Sequence, residues 1–260
     1  MKEFAVSFKG GMARGLGSIG LMRFLQEENL KPKYFAGSSS GALVAAGFAM
    51  NYTWDKILND FKEVKITKLM SLTNLVTKGG LIPKERFLEM LSESLETPIQ
   101  RIDIKNLPNK LYVFSSNLKT QNRVVIHSGN LGEALIRSCS YPLVIERSNF
   151  ANYIDGDLTS SYSANYLRNR GAEVVIGCGY RPRRSDLFTT NPLDTLISTY
   201  RLLTGQIDSY YNSIDPVDYE LEFKADDVSY MGFKDIDRVV ERAYRKAKNH
   251  QKEIFKILEL

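Results

Sequence analysis

The sequence predicts an α/β fold, a three-layer α/β/α sandwich around a mostly parallel central sheet. Three observations predict it. Near the N-terminus, short apolar runs alternate with longer helical patterns. A glycine-rich loop follows the first apolar run, and a tight glycine-flanked turn follows the second. Short strands and amphipathic segments then recur down the chain with no internal repeat and no low-complexity linker. A length of 260 residues suits one such domain over residues 1–260.

Phe4 to Phe8 is an apolar run that ends near glycines and reads as a strand. Gly10, Gly11, Gly15, Gly17 and Gly20 follow it. From Gly17 to Glu28 the spacing of Ile19, Met22, Phe24 and Leu25 is helical. Tyr34-Phe35-Ala36 is a second strand, and Ala42 to Met50 a buried helix. Two strands joined by a helix imply a parallel pair with a right-handed crossover. Residues 53–82 are less regular, with Leu69, Met70, Leu72, Leu75 and Val76 among Lys62, Lys65, Lys68 and Lys78. This segment either caps an apolar site or completes the core. Pro83 opens a helix over Lys84 to Leu95. Strands are expected at Leu111–Ser115, Arg123–Ile126, Tyr153–Asp155, Val174–Gly177 and Tyr219–Phe223, and helices at Leu131–Ser138 and Ala164–Arg170, the latter closed by Gly171. Residues 235–260 form one amphipathic helix or two, with Ile236, Val239, Val240, Ala243, Tyr244 and Ala247 on the apolar face.

The net charge of +5 is too weak to argue for nucleic acid. It is compatible with an anionic membrane surface. No apolar run approaches the roughly 20 residues of a spanning helix, and Met1-Lys2-Glu3 leads straight into a strand rather than a signal peptide. The expected location is the cytoplasm or the periphery of a membrane, with export by an unreadable signal left open. Cys139 and Cys178 have neither metal-ligand spacing nor a disulfide framework. No metal and no cofactor are expected.

Gly37-Ser38-Ser39-Ser40-Gly41 fits G-x-S-x-G. A nucleophilic serine must project from a strained strand-to-helix turn, and its neighbours two places away must be small because chain segments crowd there. The alternative is a Ser/Gly loop that lets a helix approach a sheet. Gly10-Gly11-Met12-Ala13-Arg14-Gly15 follows the first strand. Its backbone N–H groups can point at a developing oxyanion, or the loop simply allows tight packing. Gly15-Leu16-Gly17-Ser18-Ile19-Gly20 matches G-x-G-x-x-G, but it starts several residues late and no acid ends the next strand. Neither a dinucleotide site nor a P-loop is therefore expected. The serine needs a base. His250 lies within a helix and His127 before a Ser-Gly turn. Asp155, at a strand end beside Gly156, is the better placed candidate.

These motifs together resemble the bacterial patatin-like phospholipases. That family pairs G-G-G-x-[RK]-G with G-x-S-x-G and a later D-G-[GA], and here residues 10–15, 37–41 and 155–157 stand in those places. Ser138 to Pro142 and Tyr166 to Gly177 resemble the family's neighbouring segments, so the likeness runs over about residues 4–180. The resemblance implies lipid acyl-ester hydrolysis by a Ser39–Asp155 dyad without metal or cofactor. It implies an oxyanion hole from Gly10, Gly11 and Met12, with Arg14, Gly37, Gly41 and Gly156 in support. A lipid or phospholipid ester is the implied partner, with peripheral membrane contact and no nucleotide or nucleic acid. A catalytically weak lipid-binding module on the same fold is the alternative, because the chain departs from the family in two places. Met12 replaces a third glycine, and is strained if that position needs positive φ. Asp157 replaces a small residue and places a second carboxylate near Asp155. Arg181, Arg183 and Arg184 follow a strand end, where they either meet lipid phosphates or sit in a solvated loop.

Overall fold

The computed structural model describes residues 1–147, 152–159, 162–181 and 192–260. β1 (Phe4–Phe8) leads through the glycine-rich loop into α1 (Ile19–Glu27), and β2 (Tyr34–Ser38) turns sharply into α2 (Ser40–Ala49). Then come α3 (Trp54–Glu63), α4 (Ile66–Leu69), α5 (Leu72–Lys78), β3 (Gly80–Ile82) and α6 (Lys84–Ser94). The hairpin β4 (Lys110–Asn117) and β5 (Asn122–Ile126) precedes α7 (Leu131–Cys139), β6 (Leu143–Ile145) and β7 (Tyr153–Ile154). α8 (Ala164–Arg168), β8 (Val174–Arg181), α9 (Pro192–Ile214), β9 (Tyr219–Lys224), α10 (Ile236–Asn249) and α11 (Gln251–Leu258) complete the chain.

The central sheet runs β5-β4-β2-β1-β8-β9, with β7 also paired to β4. The pairs β2/β4, β1/β2, β1/β8 and β8/β9 are parallel. Among the described strands, only β5 and β7 run antiparallel to β4. A parallel sheet needs cover on both faces, and the side-chain alternation supplies it. Phe4, Val6 and Phe8 of β1 enter a large core with residues of α1, α2, α7 and α10. Ala5, Tyr34, Ala36, Tyr112 and Phe114 point the other way, onto Ala164 and Leu167 of α8. Helix, sheet and helix form the three layers the sequence predicts. Each fully buried aliphatic or Phe side chain stabilises by roughly 1.5–3 kcal/mol, so the larger layer carries most of the apolar driving force.

Several elements differ from the sequence reading. Residues 53–82 are mostly helical, and their apolar residues are partly buried and partly exposed. Ile57, Leu58 and Phe61 of α3 are buried, whereas Leu72 and Val76 on α5 are 76% and 86% exposed. β3 and β6 form a separate two-stranded parallel sheet, too short to show a sequence period. The C-terminal amphipathic stretch is two helices that meet at His250. α9 falls in a stretch to which the sequence assigned no element. Arg181 ends β8, while Arg183 and Arg184 lie outside the described residues. No described helix is long and apolar enough to cross a membrane.

Candidate active site

The parallel register places Phe8 beside Gly37. The glycine loop after β1 and the Ser39 turn after β2 therefore emerge together at the carboxyl edge of the sheet, where open α/β sheets bind ligands. Ser39 stands at φ 50° and ψ −131°, between β2 and α2. That is a strained conformation for a residue with a Cβ. Its N–H donates to Ser138 Oγ at 2.9 Å. Asn130 caps α7 by accepting from the Glu133 N–H, and so helps to fix the helix that carries Ser138.

The flanking glycines have the steric reason the motif implies. A Cβ on Gly37 would lie 2.5 Å from the Gly41 carbonyl, and one on Gly41 only 2.4 Å from the Phe8 carbonyl oxygen. Backbone cannot yield at such distances. Gly41→Ala is expected to lower stability by about 2 kcal/mol or more, read as a fall of several degrees in Tm by thermal unfolding. Gly156 is equally constrained, with Phe114 O 2.3 Å from its Cβ position.

In the loop, Gly11 has φ 127° and Tyr180 Cε1 lies 2.2 Å from its Cβ position, so only glycine fits there. Met12 has φ 51°, so the third residue of the loop does adopt the conformation that glycine tolerates best. Among the described residues, neither the Gly11 nor the Met12 N–H donates a hydrogen bond. The Gly10 N–H is different: it donates to Asp157 Oδ1 at 3.2 Å. Arg14 is buried and holds the loop from below. Its Nε donates to the Val228 carbonyl at 2.6 Å and its guanidinium lies 4.0 Å from the centre of the Tyr230 ring. Ala13 N–H donates to the Tyr230 carbonyl, and the Tyr230 hydroxyl meets that of Tyr180 at 3.2 Å.

Asp155 follows β7 and is almost completely buried, at 1% exposure. Its carbonyl accepts from Ser116 Oγ, its N–H donates to the Ser140 carbonyl, and its Oδ1 accepts from the Asp157 N–H at 3.0 Å. Its Oδ2 has no hydrogen-bond partner. Burial and the neighbouring Asp157 charge push the Asp155 carboxyl well above the ordinary carboxylate range, against the pull of the Asp157 N–H and the Ser39 hydroxyl. The Ser39 hydroxyl is thus among the few groups that favour the ionised form of this carboxyl.

These elements match a known profile. The sequence profile described as patatin-like phospholipase matches residues 6–168. The chain belongs to the patatin-like phospholipase family. A curated relative, the uncharacterized protein YqhO of Bacillus subtilis, is 21% identical over 208 residues, covering 69% of this chain and 72% of YqhO. Among solved structures, the type III effector ExoU of Pseudomonas aeruginosa is 12% identical with a TM-score of 0.54. That likeness covers 97% of this chain and 53% of ExoU, so the chain spans about half of ExoU's length. Human group IVD cytosolic phospholipase A2, solved with methyl gamma-linolenyl fluorophosphonate, is 11% identical over 99% of this chain and 59% of its own, with a TM-score of 0.49. The likeness to ExoU is one of fold.

The Ser39 turn opens onto an apolar cavity of about 50 Å³, lined by Met12, Leu43, Ile66, Phe87, Met90 and Val144 among others. Cys139 also borders it, and burial pushes the Cys139 thiol upward. His250 lies in the α10–α11 corner beside Glu253, and His127 tilts against Tyr112. Neither contacts the Ser39 turn. Among the described residues no cluster of three metal-ligating side chains forms. Sequence reasoning did not anticipate Ser138, Ser38, Tyr180 or Lys9. Ser138 and Tyr180 reach the site from distant segments, whereas Ser38 and Lys9 adjoin Ser39 and Gly10 in the chain.

Proposed function

We propose that the chain is a lipid acyl hydrolase, of phospholipase A, lysophospholipase or esterase type, in which Ser39 is the nucleophile and Asp155 its base. The observation that carries this reading is the strained Ser39 turn facing a buried carboxylate oxygen without a partner, at the mouth of an apolar cavity. Ser39 Oγ attacks the ester carbonyl carbon while its proton passes to Asp155. The unpartnered N–H groups of Gly11 and Met12 receive the oxyanion. The leaving alcohol takes the proton from Asp155, and the acyl group remains on Ser39. Water then attacks the acyl-enzyme with Asp155 again accepting the proton, and the carboxylic acid leaves as Ser39 regains its hydrogen. Turnover of a short-chain p-nitrophenyl ester, followed by hydrolysis of phospholipid vesicles, tests this reading. A chain that folds, binds vesicles and releases no product would instead be the non-catalytic module.

Access to lipid follows from the segment that walls the cavity. Ile66 and Ile82 line it from α4 and β3. Between them α5 presents Leu72 and Val76 outward, one helical turn apart and largely exposed. Lys65 and Lys68 nearby are exposed and have no ionic partner among the described residues. An apolar pair edged by free ammonium groups suits an anionic lipid surface. The double substitution Leu72→Asp with Val76→Asp is expected to weaken binding to anionic vesicles by at least about tenfold in sedimentation assays. Hydrolysis of a soluble ester should be unchanged.

A further inference from the structure

Asp157 is the largest departure from the family pattern, and it stands inside the site. Its Oδ1 accepts from the Gly10 N–H at 3.2 Å and also from the Ser38 hydroxyl. Gly10 belongs to the oxyanion loop and Ser38 to the serine turn, so one carboxylate joins the two. The packing is close. The Cβ position of Gly10 lies 2.1 Å from Asp157 Oδ2 and 2.5 Å from Ser39 Cβ, so carboxylate and serine crowd the same point over Gly10. The Asp157 N–H is in turn bound to Asp155 Oδ1. We propose that Asp157 is a positioning residue whose carboxylate clips the oxyanion loop to the serine turn and whose negative charge sets the pH above which Asp155 works as a base.

This inference rests on the proposed role of Asp155, and it concerns how that role is controlled. Two carboxylates this close do not ionise independently, because like charges oppose each other in a poorly solvated site. Asp157 is the better placed to hold the first negative charge. It accepts from the Ser38 hydroxyl and the Gly10 N–H, and the Lys9 charge favours its ionised form. Lys9 is itself buried beneath the loop, 3.0 Å from Glu220 and 3.9 Å from Asp208. Those two acids keep Lys9 protonated despite its burial. Asp208 is pushed up to about 7, chiefly by burial, so part of this acidic surround is neutral near physiological pH. Among the described residues, the other titratable groups that sense the pair are Tyr180, Tyr200 and Cys139, all held neutral by burial. Among the described residues Asp155 has only the Asp157 N–H and the Ser39 hydroxyl in its favour. The pair therefore keeps one proton over a pH interval in which a lone aspartate would have lost it, and that proton sits on the base. The sign follows: activity rises with pH as the second proton leaves, and removing the Asp157 charge moves that rise to lower pH.

Asp157→Asn is the test, because an amide oxygen can still accept from Ser38 and Gly10 while the charge is gone. The pH profile of kcat/KM for a short-chain ester should keep its alkaline plateau and gain about fivefold or more on its acidic limb. Asp157→Gly, which restores the small residue of the family pattern, should show the same acidic gain with a lower plateau, since the clip is lost. A purely structural role would change the plateau and leave the limb in place. Titration of 13C-labelled aspartate carboxyls by NMR, assigned with Asp155→Asn, reads the same coupling without turnover. The Asp155 resonance should titrate at lower pH in Asp157→Asn than in the wild type. If the wild type lacks esterase activity but this displacement appears, the hydrolase reading fails and the coupling stands. If neither the carboxyl titration nor the acidic limb moves, Asp157 does not control Asp155 and the proposal is overturned.

Discussion

Ser39→Ala is expected to lower kcat/KM for ester hydrolysis by at least about 10³-fold while leaving the fold intact. The proposed reaction forms a covalent bond to this one oxygen, and no other group is placed to substitute for it. Ser38 Oγ is committed to Asp157. Ser40 lies on the first turn of α2, with its Oγ buried against Gly15. Structural damage should be slight. The tie that holds the turn uses the backbone N–H of Ser39, which alanine retains. Alanine also tolerates the positive φ no worse than serine does. Near-UV circular dichroism and Tm close to the wild type, with turnover gone, would separate loss of chemistry from loss of fold.

Asp155→Asn is expected to lower kcat/KM by about 10²–10⁴-fold, the range ascribed to a positioned base. Its effect on stability runs in the opposite direction. The folded-state pKa of Asp155 is raised by burial and by Asp157. Between the ordinary aspartate range and that raised value, the folded chain binds more protons than the unfolded chain. Stability contributed by this group is therefore complete at low pH and declines as pH rises through the folded value. Asparagine cannot ionise, so the variant should escape that decline. Urea unfolding over a pH series should show the wild type losing stability relative to Asp155→Asn as pH increases. A variant that loses activity and gains relative stability at alkaline pH is what a buried base implies. Equal activity in both proteins would remove Asp155 from the mechanism.

The parts of the site that were legible in the sequence are those whose reasons are local. Gly37 and Gly41 are small because a turn that projects a serine brings chain segments within 2.5 Å of where their Cβ atoms would lie. Gly10 and Gly11 follow a strand and precede a helix, so their backbone freedom has an evident use. Asp155 was legible as an acid at a strand end beside Gly156. The strain expected at Met12 was legible too, because the family pattern places glycine there, and its φ of 51° bears that out.

What was not legible depends on strand order. Gly10 and Asp157 are distant in sequence, and only the insertion of β7 at the end of β4 brings that carboxylate to the loop. The sequence could place Asp157 near Asp155, but not its clasp on Gly10 and Ser38. The setting of Arg14, buried against Tyr230 and bonded to the Val228 carbonyl, was not legible either. The same applies to Ser138, whose hydroxyl serves the Ser39 backbone from α7. In residues 53–82 the apolar residues carry no label of which face they meet. Ile57 and Phe61 went inward and Leu72 and Val76 outward because α3 packs on α1 and α2 while α5 rides on the small β3–β6 sheet.

The most direct test of the Ser39–Asp155 dyad is covalent labelling by a fluorophosphonate, followed by intact mass and peptide mapping. One adduct per chain is expected, on the peptide that contains Ser39, absent in Ser39→Ala and slowed by at least about 10²-fold in Asp155→Asn. Labelling that persists in Ser39→Ala, or an adduct that maps to any other residue, would contradict the dyad.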